Sequence, residues 1–156
     1  MRPADVLFQA RPRKARRVAV AAAVVLVVVF TVVAVLLRRT PTGVYFRFSD
    51  QVAMVLLGLL LAGAVLLFAR PRVRAGADGV EVRNVLTTRM VPWDLVLQVS
   101  FPDGAPWARL ELPDDEYIAV MAIQAADGRS AVQAMRSLRA VHGQHTAPRR
   151  TPGADL

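Results

Sequence analysis

The chain has 156 residues, 54% of them hydrophobic, and contains no cysteine, which excludes a disulfide framework and any thiolate metal site. The formal net charge of +8 raises the question of a nucleic-acid partner. Residues 70–142, however, hold nine arginines against nine acidic residues. A phosphate-binding surface needs a positive stripe on the folded part of a protein, so we predict no nucleic-acid partner.

The first segment, residues 1–17, carries six basic residues against one acidic residue. We predict a basic cytoplasmic tail here. Arg16 and Arg17 directly precede an apolar run, so we expect them to lie close to a membrane surface, where cations set the orientation of a membrane protein.

Two apolar segments follow, residues 18–37 ("VAVAAAVVLVVVFTVVAVLL") and residues 52–68 ("VAMVLLGLLLAGAVLLF"), and neither contains a charged residue. Helices of this length approach the ~30 Å thickness of a bilayer core, so we predict two transmembrane helices. A buried core helix is the alternative for the second segment. A secretory signal is the alternative for the first, but no small-residue cleavage site precedes Arg38.

The predicted loop between the spans, residues 38–51, holds three arginines. The N-terminal flank holds six basic residues, and the C-terminal flank adds Arg70, Arg72 and Arg74, which we also predict to be membrane-proximal. The positive-inside rule therefore predicts a plasma-membrane protein with both termini in the cytoplasm and an extracytoplasmic loop. Export of the C-terminal part is the alternative.

Gly58 and Ala62 are four residues apart in the second span, a spacing that lets helices approach closely. They are candidate helix-packing residues, either within the hairpin or in a homo-oligomer. Neither span contains an ionisable residue, which argues against an ion pathway or a transporter.

After Arg72 the hydrophobic pattern takes a period of two, which indicates β-strands. Asp78-Gly79 is typical of a hairpin turn, and Leu95, Leu97, Val99 and Phe101 are predicted to share one face of a strand. We expect about six short strands, spaced as in a barrel or sandwich.

The pattern then changes to that of an amphipathic helix that ends near Gly143 and can close the open end of a small barrel. We predict a disordered tail over residues 143–156. The apolar stripe of this helix consists of Ala131, Val132, Met135, Leu138 and Val141.

Several segments of this region have distinctive sequences, and they occur in a fixed order after the two apolar spans. They are "RAGADGVEVRN" (residues 74–84), "RMVPWDLVLQVSF" (residues 89–101), "WARLELPDDE" (residues 107–116) and "AIQAADG" (residues 122–128). In these segments the chain resembles the membrane-anchored bacterial PH-like domain proteins of actinobacteria, the group described as low molecular weight protein antigen 6 or membrane PH domain proteins.

The resemblance implies a fold: a two-helix transmembrane hairpin, then a small mainly-β PH-like barrel over residues 70–142, capped by one C-terminal α-helix. It implies no established activity. Lipid-binding members of the wider fold carry basic residues around their first strand-to-strand loop. We assign that loop to "AGADG" (residues 75–79), which holds Asp78 and no cation, so it departs from their pattern.

Candidate site residues are few. Trp93 and Trp107 are either partner-binding anchors, since aromatic residues form interface hot spots, or core residues. The acidic run Asp114-Asp115-Glu116 is typical of a solvated turn, and His142 with His145 lacks the carboxylates of a metal site. We predict no metal, no cofactor and no catalysis.

We therefore expect a binding or scaffold module at the cytoplasmic face. Its partners are the lipid bilayer and another membrane or envelope protein. The alternatives are a structural subunit that acts through its transmembrane hairpin and an exported PH-like domain.

Overall fold

The structure is a computed structural model, and it describes residues 6–39 and 47–146. The chain divides into two compact units. The hairpin unit is Arg13–Arg70 and holds both long helices, whereas the sheet unit is formed by the described residues before and after it. Residues 40–46, half of the predicted loop over residues 38–51, lie outside the described residues.

The two long helices are α1 (Arg13–Arg39) and α2 (Phe48–Leu66), and a one-turn 3₁₀ helix (Leu67–Ala69) continues α2. Both helices begin four or five residues before the predicted spans, because polar residues also join a helix once it has formed. In α2 the backbone N–H of Arg47 donates to Asp50 Oδ2 at 2.9 Å, which closes the first turn.

Both helices are long and apolar enough to cross a membrane. Only 11% of the most apolar window of each helix is buried, whereas the core helix of a small domain is mostly buried. Val24 on α1 and Leu60 on α2 are examples of their exposed apolar side chains.

Small residues lie where α1 and α2 pack against each other. Gly58 and Ala62 are buried on α2, as is Ala34 on α1. A Cβ atom added to Gly58 would lie 2.6 Å from the Cβ of Phe30, which is closer than two carbon atoms can approach. Glycine at position 58 therefore permits the observed distance between the helices.

The first sheet is antiparallel with the order β1-β2-β3-β4, and it combines chain segments from both sides of the hairpin unit. The strand β1 precedes α1 and pairs with β2, with Gln9 opposite Arg74 and Ala10 opposite Val73. Residues 1–17, predicted only as a basic tail, thus contribute an edge strand. The strands are β1 (Val6–Ala10), β2 (Arg72–Gly76), β3 (Gly79–Arg83) and β4 (Thr88–Val91).

The second sheet is antiparallel with the order β5-β6-β7, and a one-turn 3₁₀ helix (Trp93–Leu95) leads into it. This turn breaks the period of two, so the predicted common face of four residues is wrong. Leu95 and Leu97 are exposed, and Val96 is buried in their place. The strands are β5 (Gln98–Ser100), β6 (Trp107–Glu111) and β7 (Tyr117–Gln124).

The terminal helix α3 (Arg129–Thr146) packs against strands of both sheets. Four of its five predicted core residues are buried, and Val132 is exposed. The helix continues past Gly143, because His145 Nδ1 and Thr146 Oγ1 donate to carbonyls one turn earlier and stabilise the last turn. The predicted disordered tail therefore begins too early, and residues 147–156 lie outside the described residues.

The core of the sheet unit combines the inward faces of both sheets with one face of α3. Two long apolar helices, two small antiparallel sheets and a C-terminal helix confirm the predicted PH-like architecture. The main buried residues are Val73, Val80, Val82, Val99, Leu110, Val120, Ile123, Met135 and Leu138.

Candidate functional site

A groove of about 450 Å³ runs along α3 beside the end of β5. Ala131 and Met135 are buried and form its floor with the half-buried Phe101. The rim carries Arg136 and Val132, the latter 52% exposed, together with Arg139. An apolar floor beside two guanidinium groups suits an apolar side chain with acidic neighbours.

Two side chains of α3 hold this helix to the chain around β5. Arg139 Nε donates to the carbonyl of Val99 at 2.9 Å, and His142 Nε2 donates to the carbonyl of Val96 at 2.8 Å. The bond to Val99 also occupies a backbone acceptor of β5, an edge strand, which would otherwise be open to pairing with another chain. The shape of the groove is therefore set by specific hydrogen bonds as well as by packing.

Trp93 lies inside the sheet unit and not on its surface. It is 6% exposed, and its indole Nε1 donates to the carbonyl of Gly76 at 2.8 Å. The rings of His142 and His145 each lie 5.6 Å from the Trp93 ring, centroid to centroid. Trp93 thus joins the end of β2 to the last turns of α3, and its indole presents little surface to a partner.

Trp107 begins β6, opposite Gln124, at a point where the pairing of β6 with β7 is irregular. It is half-buried, so part of its ring reaches the surface. The structure does not bring Trp93 and Trp107 together in one site: one is a corner of the core and the other lies at a strand end.

The remaining polar candidates have structural surroundings. Both histidines bond to backbone carbonyls. Asp114 and Asp115 adopt positive φ angles of 60° and 58°, as in a tight turn. Within residues 6–39 and 47–146, no group of three histidine, aspartate or glutamate side chains could hold a metal ion.

The predicted membrane-proximal arginines have different environments. Arg16, Arg17 and Arg70 are exposed. Arg72 forms a 3.3 Å ion pair with Glu81 on β3, and Arg74 Nε donates to Gln9 Oε1 on β1 at 3.3 Å. The last two therefore belong to the outer face of the first sheet and link its strands.

The position of β1 also corrects the assignment of the first strand-to-strand loop. The segment "AGADG" joins β2 to β3, and the connection between β1 and β2 is the whole hairpin unit. Its ends are rich in cations, including Arg13, Arg16, Arg17 and Arg70.

Two small antiparallel sheets with a C-terminal helix packed on them define a PH-like domain. The bacterial PH domain family matches residues 70–140, which cover six of the seven described strands and most of α3, and the chain belongs to this family. No solved structure matches the chain.

The chain is also similar to mycobacterial proteins. It is 53% identical over 139 residues to the uncharacterized protein Rv1417 of Mycobacterium tuberculosis and, at the same identity, to the uncharacterized protein Mb1452 of Mycobacterium bovis. The match covers 89% of this chain and 90% of each relative. It therefore includes most of Arg13–Arg70, so the likeness extends to the apolar helices.

Proposed function

We propose that this protein is a membrane-anchored PH-like binding module that recruits or braces another membrane or cell-envelope protein at the cytoplasmic face of the plasma membrane. The observation that carries the proposal is the insertion of two long apolar helices between β1 and β2. Because the first sheet needs strands from both sides of the hairpin, anchor and domain belong to one fold.

The exposure of the helices supports an anchor. Their apolar side chains are mostly exposed, and a protein in water rarely leaves so large an apolar surface uncovered. A cleaved secretory signal is disfavoured, because cleavage after α1 would also remove β1 from the sheet.

The pairing of β1 with β2 also supports the topology. Both ends of the hairpin unit lead into the same sheet, which supports an arrangement with both ends on the same side of the membrane. The basic residues at these two ends outnumber those of the intervening loop, which favours the cytoplasm.

The groove beside α3 supports a protein partner. We expect an apolar side chain of the partner to sit on Met135, with carboxylates near Arg136 and Arg139. A short tether to the membrane raises the effective concentration of such a partner, to about millimolar for a flexible linker of similar length. The module acts without catalysis in this proposal, and both of its histidines already bond to carbonyl groups.

A photocrosslinking amino acid at Val132 tests the groove directly. Val132 is exposed on the rim, and the neighbouring Gln133 is exposed on α3 but does not line the groove. In native membranes, Val132 variants should crosslink to one discrete membrane or envelope protein, and Gln133 variants should not. Equal crosslinking at both positions, or crosslinks to lipid and to the protein itself alone, would contradict the proposal.

A structural subunit that acts through the hairpin is the second candidate, and it rests on the uncovered apolar faces of both helices. The face at Gly58 is already in contact with Phe30, so other spans would have to pack on exposed residues such as Leu56 and Leu60. Substituting those leucines by alanine would disrupt such a complex, or a homo-oligomer, and would leave Val132 crosslinking unchanged.

A further inference from the structure

We propose that the turn between β3 and β4, residues 84–87, is a second membrane contact, in which Leu86 enters the interface of a bilayer that carries anionic lipids. This inference rests on the proposed membrane anchor. Leu86 is 82% exposed, the highest value among the large apolar side chains of the described residues. A single exposed leucine is ordinary on a protein surface, so the proposed membrane contact depends on where Leu86 lies in the sheet.

Leu86 lies at one particular end of the first sheet. At this end β1 runs into α1, and β2 begins after α2. Arg72, the first residue of β2, is opposite Arg83, the last residue of β3. The turn begins directly after Arg83. It therefore lies at the same end of the sheet as the start of β2, where the chain arrives from the hairpin unit. At about 3.3 Å per residue, Leu86 extends several ångströms beyond the end of the β2–β3 ladder.

The connectors at this end are short. Three residue steps separate Ala10 from Arg13, the first residue of α1, and three separate Ala69 from Arg72. Such segments span at most about 10 Å. A sheet end tethered twice at that distance stays near the surface into which the helices insert.

The turn is held in a fixed shape. The backbone N–H of Asn84 donates to the carbonyl of Thr87 at 2.8 Å, which closes the turn. The side chain of Asn84 donates to the carbonyl of Ala119 at 2.8 Å and accepts from the N–H of Met121 at 3.2 Å. Leu86 is therefore presented on a turn that is anchored to the second sheet.

The charges at this end suit anionic head groups. The nearby strand ends and connectors carry five arginines, of which Arg72 is paired with Glu81 on β3. Leu97, a comparable exposed leucine just before β5, lies beside β6: its N–H donates to the backbone carbonyl of Glu111, and the chain continues from there into the acidic turn Asp114-Asp115-Glu116. The five arginines are Arg11, Arg70, Arg72, Arg83 and Arg89.

Single-cysteine labelling of the full chain tests the contact, since the native sequence contains no cysteine. The variants Leu86→Cys, Leu97→Cys and Leu60→Cys carry an environment-sensitive fluorophore in vesicles of phosphatidylcholine and phosphatidylglycerol that contain nitroxide-labelled lipid. We expect several-fold stronger quenching at position 86 than at position 97. Quenching at position 86 should fall in vesicles of phosphatidylcholine alone.

The Leu60 variant separates the two proposals, because Leu60 is exposed on α2. Quenching at position 60 without quenching at position 86 would overturn the turn contact and leave the anchor in place. Lack of quenching at position 60 would overturn the anchor itself. Equal quenching at position 86 in both kinds of vesicle would overturn the part assigned to the arginines.

Discussion

Gly58 is the residue at which the packing of the hairpin is most sensitive. A methyl group at this position would meet Cβ and Cγ of Phe30 at 2.6 and 2.9 Å. These atoms lie close to the backbone, so the helices themselves would have to separate. We predict that Gly58→Ala lowers the free energy of unfolding by about 1–3 kcal/mol, as is typical of overpacking. Thermal unfolding of the full chain in detergent measures this loss.

Gly63 provides the matched control. It lies on the same helix, and a Cβ added there would meet nothing within 4 Å. Gly63→Ala should leave the stability unchanged or raise it slightly, because alanine favours the helix. If both substitutions had the same effect, the close approach of Phe30 to Gly58 would not exist in the folded protein.

Residue-level features differ in how far a local sequence pattern can specify them. The spacing of Gly58 and Ala62 pointed to helix packing, because small residues act through local geometry. The surroundings of Trp93, and the exposure of Leu86, depend on chain segments that are distant in sequence. The carbonyl of Gly76 and the two histidines around Trp93 come from β2 and α3, and no local pattern specifies that meeting.

Among the secondary-structure elements, β1 matters most, because its pairing with β2 joins chain segments from both sides of the hairpin unit. Disulfide crosslinking can test the register of this pairing. Gln9 and Arg74 are opposite each other on neighbouring strands, with side-chain atoms 3.3 Å apart. We predict that the double variant Gln9→Cys with Arg74→Cys forms a disulfide on mild oxidation, since directly opposed residues come within reach of one. Mass spectrometry of the digested protein identifies the linked peptides.

The control pair is Gln9→Cys with Glu81→Cys. Glu81 is opposite Arg74 on β3, so it lies one strand further from Gln9. Two strand spacings amount to about 10 Å, beyond the span of a disulfide. Crosslinking in the control pair, or in neither pair, would refute the observed register.

The strand β1 was missed because it is short and its partner lies far along the chain. Five residues, "VLFQA", carry too little alternation to stand out within a basic segment, and the matching strand begins only at Arg72. Longer local patterns were sufficient elsewhere. The apolar helices and the stripe of α3 repeat over many turns, and the β2–β3 hairpin follows the predicted turn at Asp78-Gly79.

At the scale of the whole molecule, orientation is the property to measure first. Ser49 is exposed near the start of α2, and Asp78 is exposed on the β2–β3 turn of the sheet unit. We predict that a membrane-impermeant thiol reagent labels Ser49→Cys in intact cells and labels Asp78→Cys only after permeabilisation. The basic ends of the hairpin are the physical cause, because they are retained in the cytoplasm.

The reverse labelling pattern would establish the exported arrangement and contradict the proposed location of the module. Labelling of both positions from outside would contradict the hairpin, because α2 lies between these two residues in the chain and would then not cross the membrane. A reporter at either terminus should agree with the result at Asp78, since β1 and β2 belong to one sheet.

Because the two helices lie between β1 and β2 in the chain, β1 is made well before its partner strand. Val6–Ala10 is synthesised before residues 11–71, and its partner strand follows only after them. At about 5–20 residues per second, the first strand waits roughly 3 to 12 s for Arg72–Gly76. During that interval the apolar helices must find the bilayer. We expect a chain whose helices fail to insert to leave these two strands unpaired, and the open sheet edge would then be accessible to quality-control proteases.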